Sequence, residues 1–337
     1  VTAAVVTSPP STSLVVPSFR RPALLRGCLA AVAAQTVVPT EVLVVARRDD
    51  EETAAVASAA AGLDVRLLRV SLPGHIPPLV AGVEAARGEV VLFVDDDCEP
   101  WPEWVATIVR HYDDPRVGGV GGRVLQPGFE DEAPAARIGR IPLSGRFDRL
   151  SLHRPPVGAE VRDVDVLRGT NMSFRRALLA GYAWDARLNR GAASDYEVAL
   201  CAWVRRRGYR LVYDARAVVR HHLGPRPEIG RALDARAIRD YSHNLVYVSA
   251  TALPRWQRPI AVAGAFLVGN RSSYGLATAL GDLAGGRRPS WRGQVLPALW
   301  GKVEGLRSAL AYARSGPAPW RGGPASGARP GGREPVE

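Results

Sequence analysis

The chain has 337 residues, enough for one large α/β domain with added elements or for two modest domains. Hydrophobic residues make up 47%, which supports a real core, and 44 basic against 33 acidic side chains leave a net charge of +11. Lys302 is the only lysine, so this charge is almost all arginine; it favours anionic partners such as phosphates, a nucleotide or an acidic membrane surface. Zinc-finger spacing and aromatic RNA-binding signatures are absent, so nucleic acid is not an expected partner. Cys28, Cys98 and Cys201 share no metal or redox spacing, and a reducing, cytoplasmic setting is the simplest expectation. Residues 1–13 lack the basic and apolar regions of a signal peptide. The longest candidate for a membrane span, residues 259–269, ends at Asn270 and Arg271 and is too short.

Residues 1–12 are rich in Thr, Ser and Pro and are expected to be loose. SLVVP at 13–17 reads as a buried strand, and Pro22 opens a helical pattern running to Gln35. EVLVV at 41–45 predicts a second strand, 51–61 a helix, 64–70 a third strand, 79–87 a helix and VVLFV at 90–94 a fourth strand. Strands alternating with helical patterns imply a doubly wound, mostly parallel sheet of the α/β class. A helix follows at 101–112 and a Gly-rich strand at 117–125, and 126–160 reads as a long functional or disordered loop. Strand character returns at 164–174, a helix at 195–207, and short strands at 210–213 and 217–221.

The style changes after Pro225. Helical stretches fill 231–312, and in the last of them Val295, Leu296, Leu299, Trp300, Val303, Leu306 and Leu310 fall near one face. Residues 315–337 are rich in Gly, Pro and Arg and are expected to be disordered. The expected organisation is a loose segment 1–12, a catalytic domain 13–224, a helical C-terminal extension 225–314 and a tail 315–337.

The apolar strand VVLFV runs straight into Asp95, Asp96, Asp97, Cys98, Glu99 and Pro100. Ligands of open α/β sheets sit at the carboxyl ends of strands. Carboxylates there can hold Mg²⁺ or Mn²⁺, and such a cation neutralises a diphosphate leaving group. Alternation puts Asp95 and Asp97 on one side and Asp96 on the other. A solvated acidic turn ahead of Trp101 is the plainer alternative.

The ordered set SLVVPSFRRPALLRGCLAAVAAQ, EVLVV, VVLFVDDDCEPWPEWV, GVGGRV, GTNMSFRRALL and WDARLNRGAASDYEVALCAWVRRRGYRLVYDARAVVRHH resembles the family-2 glycosyltransferases over about residues 13–224. The resemblance implies one Rossmann-like nucleotide-diphospho-sugar transferase domain of the A-type fold and an inverting, metal-dependent sugar transfer, with UDP-sugars the favoured donors and a sugar or lipid-linked acceptor. It implies that Asp95, Asp96 and Asp97 meet the ribose, diphosphate and metal, with Asp97 and His221 as metal ligands and His222 as the rival of His221. Pro17, Ser18 and Arg20 would meet the nucleotide. Thr170 and Asn171 would line the donor sugar and acceptor, and Asp195 would be the general base, with Glu197 in reserve beside the acceptor.

Ser194-Asp195-Tyr196-Glu197 also fits a capping box, which would make Asp195 a helix-dipole partner. The family's acidic segment after the second strand is replaced by Ala46-Arg47-Arg48-Asp49-Asp50, where Asp49 or Asp50 would substitute. The Gln-x-x-Arg-Trp of processive synthases is missing, since Ala252 stands where Gln belongs before Arg255-Trp256. A nucleotidyltransferase and a non-catalytic sugar or lipid binding module are the competing classes. In the extension, Arg and Trp are interleaved at Trp256, Arg258, Trp291, Arg292, Trp300 and Arg307, which suits peripheral contact with an anionic inner membrane face. Packing on the catalytic domain, or a dimer contact, is the alternative.

Overall fold

The computed structural model describes residues 9–129, 133–134, 137–144, 149–157, 160–224, 234–270, 272–286 and 289–319. Within residues 1–12 the segment 1–8 lies outside this set, as do parts of the loop 126–160 and residues 320–337 of the tail.

The first half is a run of parallel strands joined by crossover helices. β1 (Thr12–Ser18) pairs in parallel with β2 (Glu41–Arg47) and β4 (Val90–Phe93), and β3 (Val65–Val70) flanks β2. β1 and β4 are buried along their whole length and β2 along all but its last residue, as expected of strands covered on both faces. Alternation splits their side chains between two cores. Val15, Leu43, Val45, Val91 and Phe93 face one, and Leu14, Val16, Val42, Val44 and Leu92 face the other. The first core packs α3 (Ile76–Ala85) and α6 (Tyr196–Arg206); the second packs α1 (Pro22–Ala33) and α4 (Trp104–Val109), while α2 (Glu51–Ser58) crosses from β2 to β3. Prolines occupy the first turns of α1 and α3, where no amide donor is missed.

The second half adds β5 (Cys98–Pro100), β6 (Val117–Leu125), the short β7 (Ala133–Pro134) and β8 (Pro156–Val157), β9 (Val161–Val164), β10 (Met172–Arg175), α5 (Arg176–Ala180) and β11 (Arg210–His221). The sheet order is β3-β2-β1-β4-β10-β6-β11-β5, with β9 also on β11. This is the expected α/β class with a large, mostly parallel sheet; β10 is inserted antiparallel between β4 and β6. The single strand expected at 164–174 is two, β9 on β11 and β10 on β4, separated by the turn that carries Arg168 to Asn171. The two short strands expected at 210–221 form one strand with an irregularity between Asp214 and Val219.

Among the described residues, four α-helices, a π turn and a hairpin follow: α7 (Ala235–Thr251), α8 (Arg258–Leu267), the hairpin β12 (Gly269–Asn270) and β13 (Ser273–Tyr274), α9 (Leu276–Ala284), the π turn at Trp291–Val295, and α10 (Leu296–Ser315). Tyr247, Val248 and Ala309 join the same core as β1 and α6, so this segment is packed against the sheet domain. α10 leaves exposed most of the apolar face that its sequence pattern marks. It buries Ala298, Gly301, Lys302, Gly305 and Ala309 and leaves Leu296, Trp300, Val303, Leu306 and Leu310 exposed. The reason is close approach to α7: a Cβ on Gly301 would stand 2.1 Å from the Arg239 carbonyl, and one on Gly305 2.4 Å from that of His243. The chain stays ordered past Ser315, where Ala318 exchanges hydrogen bonds with Asp185 and Ala186.

Candidate active site

β1 and β4 end side by side, and the sheet's carboxyl edge opens into a cavity of about 340 Å³. Its wall includes Pro17 and Ser18 at the end of β1, Phe19 and Arg21 just after it, Asp95 and Asp97 after β4, and Arg168, Gly169 and Thr170 before β10. Ala192, Ser194, Tyr196 and Glu197 close it from the start of α6, and Tyr241 from α7. The volume suits a small-molecule site.

The three aspartates part as alternation requires. Asp95 and Asp97 face the cavity, whereas Asp96, 0% exposed, lies outside the wall. Asp96 was expected to meet the donor; it is instead an internal anchor that accepts from Ser18 Oγ at 2.6 Å and from Arg21 Nε at 3.0 Å. Burial pushes its carboxyl up to about 7, against the pull of Arg21 and Ser18. Arg21 also donates to Asp97 Oδ2 at 3.0 Å, so one guanidinium bridges two carboxylates.

β11 runs antiparallel to β5 with His221 opposite Cys98, which sets His221 Nε2 3.3 Å from Asp97 Oδ1. The Gly224 amide donates to Asp97 Oδ2 at 3.0 Å. Burial alone would raise the Asp97 carboxyl, but His221, Arg21 and the Gly224 amide together hold it well below the usual carboxylate range. His222, the rival of His221, pairs with Glu99 at 3.0 Å. Ligand atoms of Asp97, Cys98 and His221 lie within 4.8 Å of one another. Burial pushes the Cys98 thiol well above its ordinary value.

α6 begins at Asp195, whose backbone is left-handed (φ 72°), and Ala193 two residues earlier is also left-handed (φ 49°). The capping box does not form: Asp195, not Ser194, is the N-cap, and its side chain makes no capping hydrogen bond. Left-handed conformations at non-glycine residues cost about 1–2 kcal/mol and collect at functional sites. Asp195, expected to face the acceptor, is buried and does not itself line the wall, whereas its neighbours Ser194 and Tyr196 do, and Glu197 reaches the wall 4.0 Å from Arg168. The loop before it is pinned from α7, where Asn244 Nδ2 donates to the Leu188 and Ser194 carbonyls, each at 3.0 Å.

Three further expectations need correction. Asn171 does not line the cavity. It is fully buried, its amide donating to the Arg123 and Ala217 carbonyls and its oxygen accepting from Trp104 Nε1 at 2.8 Å, which ties β6, β11 and α4 together. Arg20 adopts φ 52°, and its side chain, 59% exposed, turns outward to Asp49. Asp49 is 53% exposed and outside the wall; Asp50, the other candidate, accepts from the Arg20 amide and caps α2 through Thr53. The wall at the end of β2 is Arg47 beside Phe19, 5.2 Å from its ring. The sequence reading missed Arg21, Phe19, Arg47, Arg168, Tyr196 and Tyr241. Of these, Phe19, Arg21 and Tyr196 carried a signal, as immediate neighbours of expected site residues. Thr170 is where it was expected, on the wall, and its buried Oγ1 has no protein partner among the described residues.

A family model described as glycosyltransferase-like family 2 matches residues 9–241. A glucosyl-dolichyl phosphate glucuronosyltransferase of Haloferax volcanii is 28% identical over 152 residues, which are 42% of this chain and 45% of that protein. The matched region thus spans less than half of that relative. Among solved structures, the mannosyltransferase PcManGT of Pyrobaculum calidifontis, in complex with GDP-Man and Mn²⁺, aligns with a TM-score of 0.53 at 18% identity over 90% of this chain and 88% of that one. TarS 1–349 of S. aureus, in complex with UDP-GlcNAc, aligns with a TM-score of 0.56 at 16% identity over 91% and 88%. Both likenesses are likenesses of fold.

Proposed function

The chain belongs to the glycosyltransferase-like family 2, and on that premise we propose that it moves a sugar from a nucleotide-diphosphate donor to an acceptor hydroxyl, inverting the anomeric carbon. The observation that carries this reading is the pair Asp95 and Asp97 on the cavity wall at the end of β4, opposite the start of α6. Pro17 and Ser18 adjoin the same end, and Phe19 with Arg47 offers the nucleotide base an aromatic and cationic edge where the family has an acidic segment. Asp95 would meet the ribose and Thr170 the donor sugar.

A divalent cation suits the residues present. Asp97 and His221 would hold it, and a carboxylate with an imidazole fits Mn²⁺ better than Mg²⁺. When bound, the ion would offset charge on the departing diphosphate. Arg21 and Arg168 add fixed positive charge on the wall for the same anion. In the transfer, Asp195 takes the acceptor hydroxyl proton while that oxygen attacks the anomeric carbon from the face opposite the diphosphate. The carbon–oxygen bond to the diphosphate breaks, and the nucleoside diphosphate leaves. Glu197 remains the alternative base.

The name of the Haloferax relative supports a lipid-linked acceptor. Tyr241 on the wall supports a role for the segment after residue 225 in completing the site. Incubation of the full chain with UDP-, GDP- and dTDP-sugars, with Mn²⁺ or Mg²⁺, tests the reading by release of nucleoside diphosphate. Release from at least one donor, faster with metal, is expected, with UDP-sugars first among them. Release of nucleoside monophosphate or pyrophosphate instead would point to nucleotidyl transfer, and inertness toward every donor to a binding module.

A further inference from the structure

Fourteen of the nineteen large hydrophobic residues exposed among the described residues fall between Trp256 and Tyr312. They are not scattered. α8 buries Ala261 and Ala265 and exposes Ile260, Ala263 and Leu267, one face at helical spacing. α9 buries only Ala279 and exposes Leu276, Leu280 and Leu283. α10 buries its small residues and exposes Leu296, Trp300, Val303 and Leu310. In these three neighbouring helices the buried side chains are small, Lys302 apart, and large apolar ones are exposed, the reverse of a water-facing helix.

The same segment is strongly basic. Residues 234–337 hold fourteen basic and six acidic side chains, so this part of the chain carries +8 of the total +11. Arg255, Arg292, Arg307 and Arg314 are exposed among the apolar residues, and Trp256, Trp291 and Trp300 are exposed with them. No helix among the described residues is long and apolar enough to cross a membrane.

We propose that α8, α9 and α10 form an interfacial platform that docks this protein on an anionic bilayer surface, the leucines and tryptophans entering the headgroup boundary and the arginines meeting lipid phosphates. Charge decides among occupants. A second copy would bring an equally basic face against this one, which repels, whereas anionic lipid neutralises it. Residues 320–337 offer such a face only Trp320 and Val336 as large apolar side chains, a poor match for it. α7 brings Tyr241 to the cavity and packs along α10, so a docked platform sets the cavity near the membrane. The platform stands independently of the reaction; its use in presenting a lipid-linked acceptor rests on the transferase reading.

Co-sedimentation of the full chain with vesicles of phosphatidylcholine alone, or with 30 mol% (about a third) phosphatidylglycerol, tests this. Binding is expected to the anionic vesicles, weakening several-fold when salt rises from about 0.1 to 0.5 M. Leu267→Glu, Leu280→Glu and Leu296→Glu combined should weaken it by at least about tenfold, with the melting temperature and soluble nucleotide-sugar hydrolysis unchanged. Arg292→Gln with Arg307→Gln should weaken it too, and should flatten the salt dependence. Failure of the parent chain to bind anionic vesicles overturns the proposal, as does a stable dimer that the leucine variants dissociate. Either result leaves the transferase reading intact, because hydrolysis of the donor is scored separately.

Discussion

Arg21 decides how the aspartate cluster is organised. Its guanidinium spans Asp96, which is fully buried, and Asp97, which faces the cavity. Removing one partner of a buried ion pair strands the other, at a cost of about 3–5 kcal/mol. Arg21→Met should therefore lower unfolding free energy by about that amount in denaturant titration; an unchanged midpoint would mean that Arg21 is not the counter-ion. For the base, Asp195→Asn should reduce kcat by about 100-fold or more with donor KM within a few-fold. If Glu197→Gln has that effect and Asp195→Asn does not, the proton goes to Glu197. The carboxylates were legible because an apolar strand runs directly into them. The choice of Arg20 over Arg21 was not, because it turns on one backbone angle: with φ 52° at Arg20, that side chain leaves the cavity and the next enters it. Asn171 failed for a similar reason, since its three hydrogen-bond partners lie on two strands and a helix remote in sequence.

At the level of elements, α7 is a brace for the catalytic loop. Asn244→Ala should release the Leu188 and Ser194 carbonyls and cut kcat by about tenfold while donor affinity, read by calorimetry, stays the same. Equal kcat in parent and variant would remove the brace from the account. His243, buried on the same helix between Asn244 and Ser308, is pushed down to about 4 by burial. The unfolded chain takes up this proton below about 6.5, and the folded chain only near 4. Stability from this group is therefore complete above about 6.5 and is lost as pH falls through that window, by an amount on the order of 2–3 kcal/mol. His153, pushed down to about 3 by burial, adds to the same trend. Melting temperature should fall between pH 6.5 and 4, and His243→Gln should reduce that slope. Alternation and strand–helix order made the first four strands readable. The broken run at 164–174 was not, because its break depends on Gly169 passing close to Tyr196, where a Cβ would meet the hydroxyl at 2.5 Å.

Over the whole molecule, the nucleotide-facing site and the basic, apolar-faced helices form one packed body, joined by α7. The sequence shows an amphipathic last helix and leaves open what its apolar face meets. Gly301 and Gly305 set its inner face, since backbone contact with α7 takes that side and leaves the large side chains outside. Helical periodicity reports that two faces differ; which one is buried depends on the partner helix. On the proposed reading, Asp97 is the metal and diphosphate ligand of a nucleotide-sugar site. Calorimetric titration of UDP, GDP and dTDP into the full chain, with and without Mn²⁺, and then into Asp97→Ala, tests it most directly. Mn²⁺-dependent binding of at least one of them is expected, weakened by about tenfold or more in Asp97→Ala at a temperature where the variant remains folded. Equal affinity with and without Mn²⁺, and in both proteins, would contradict it.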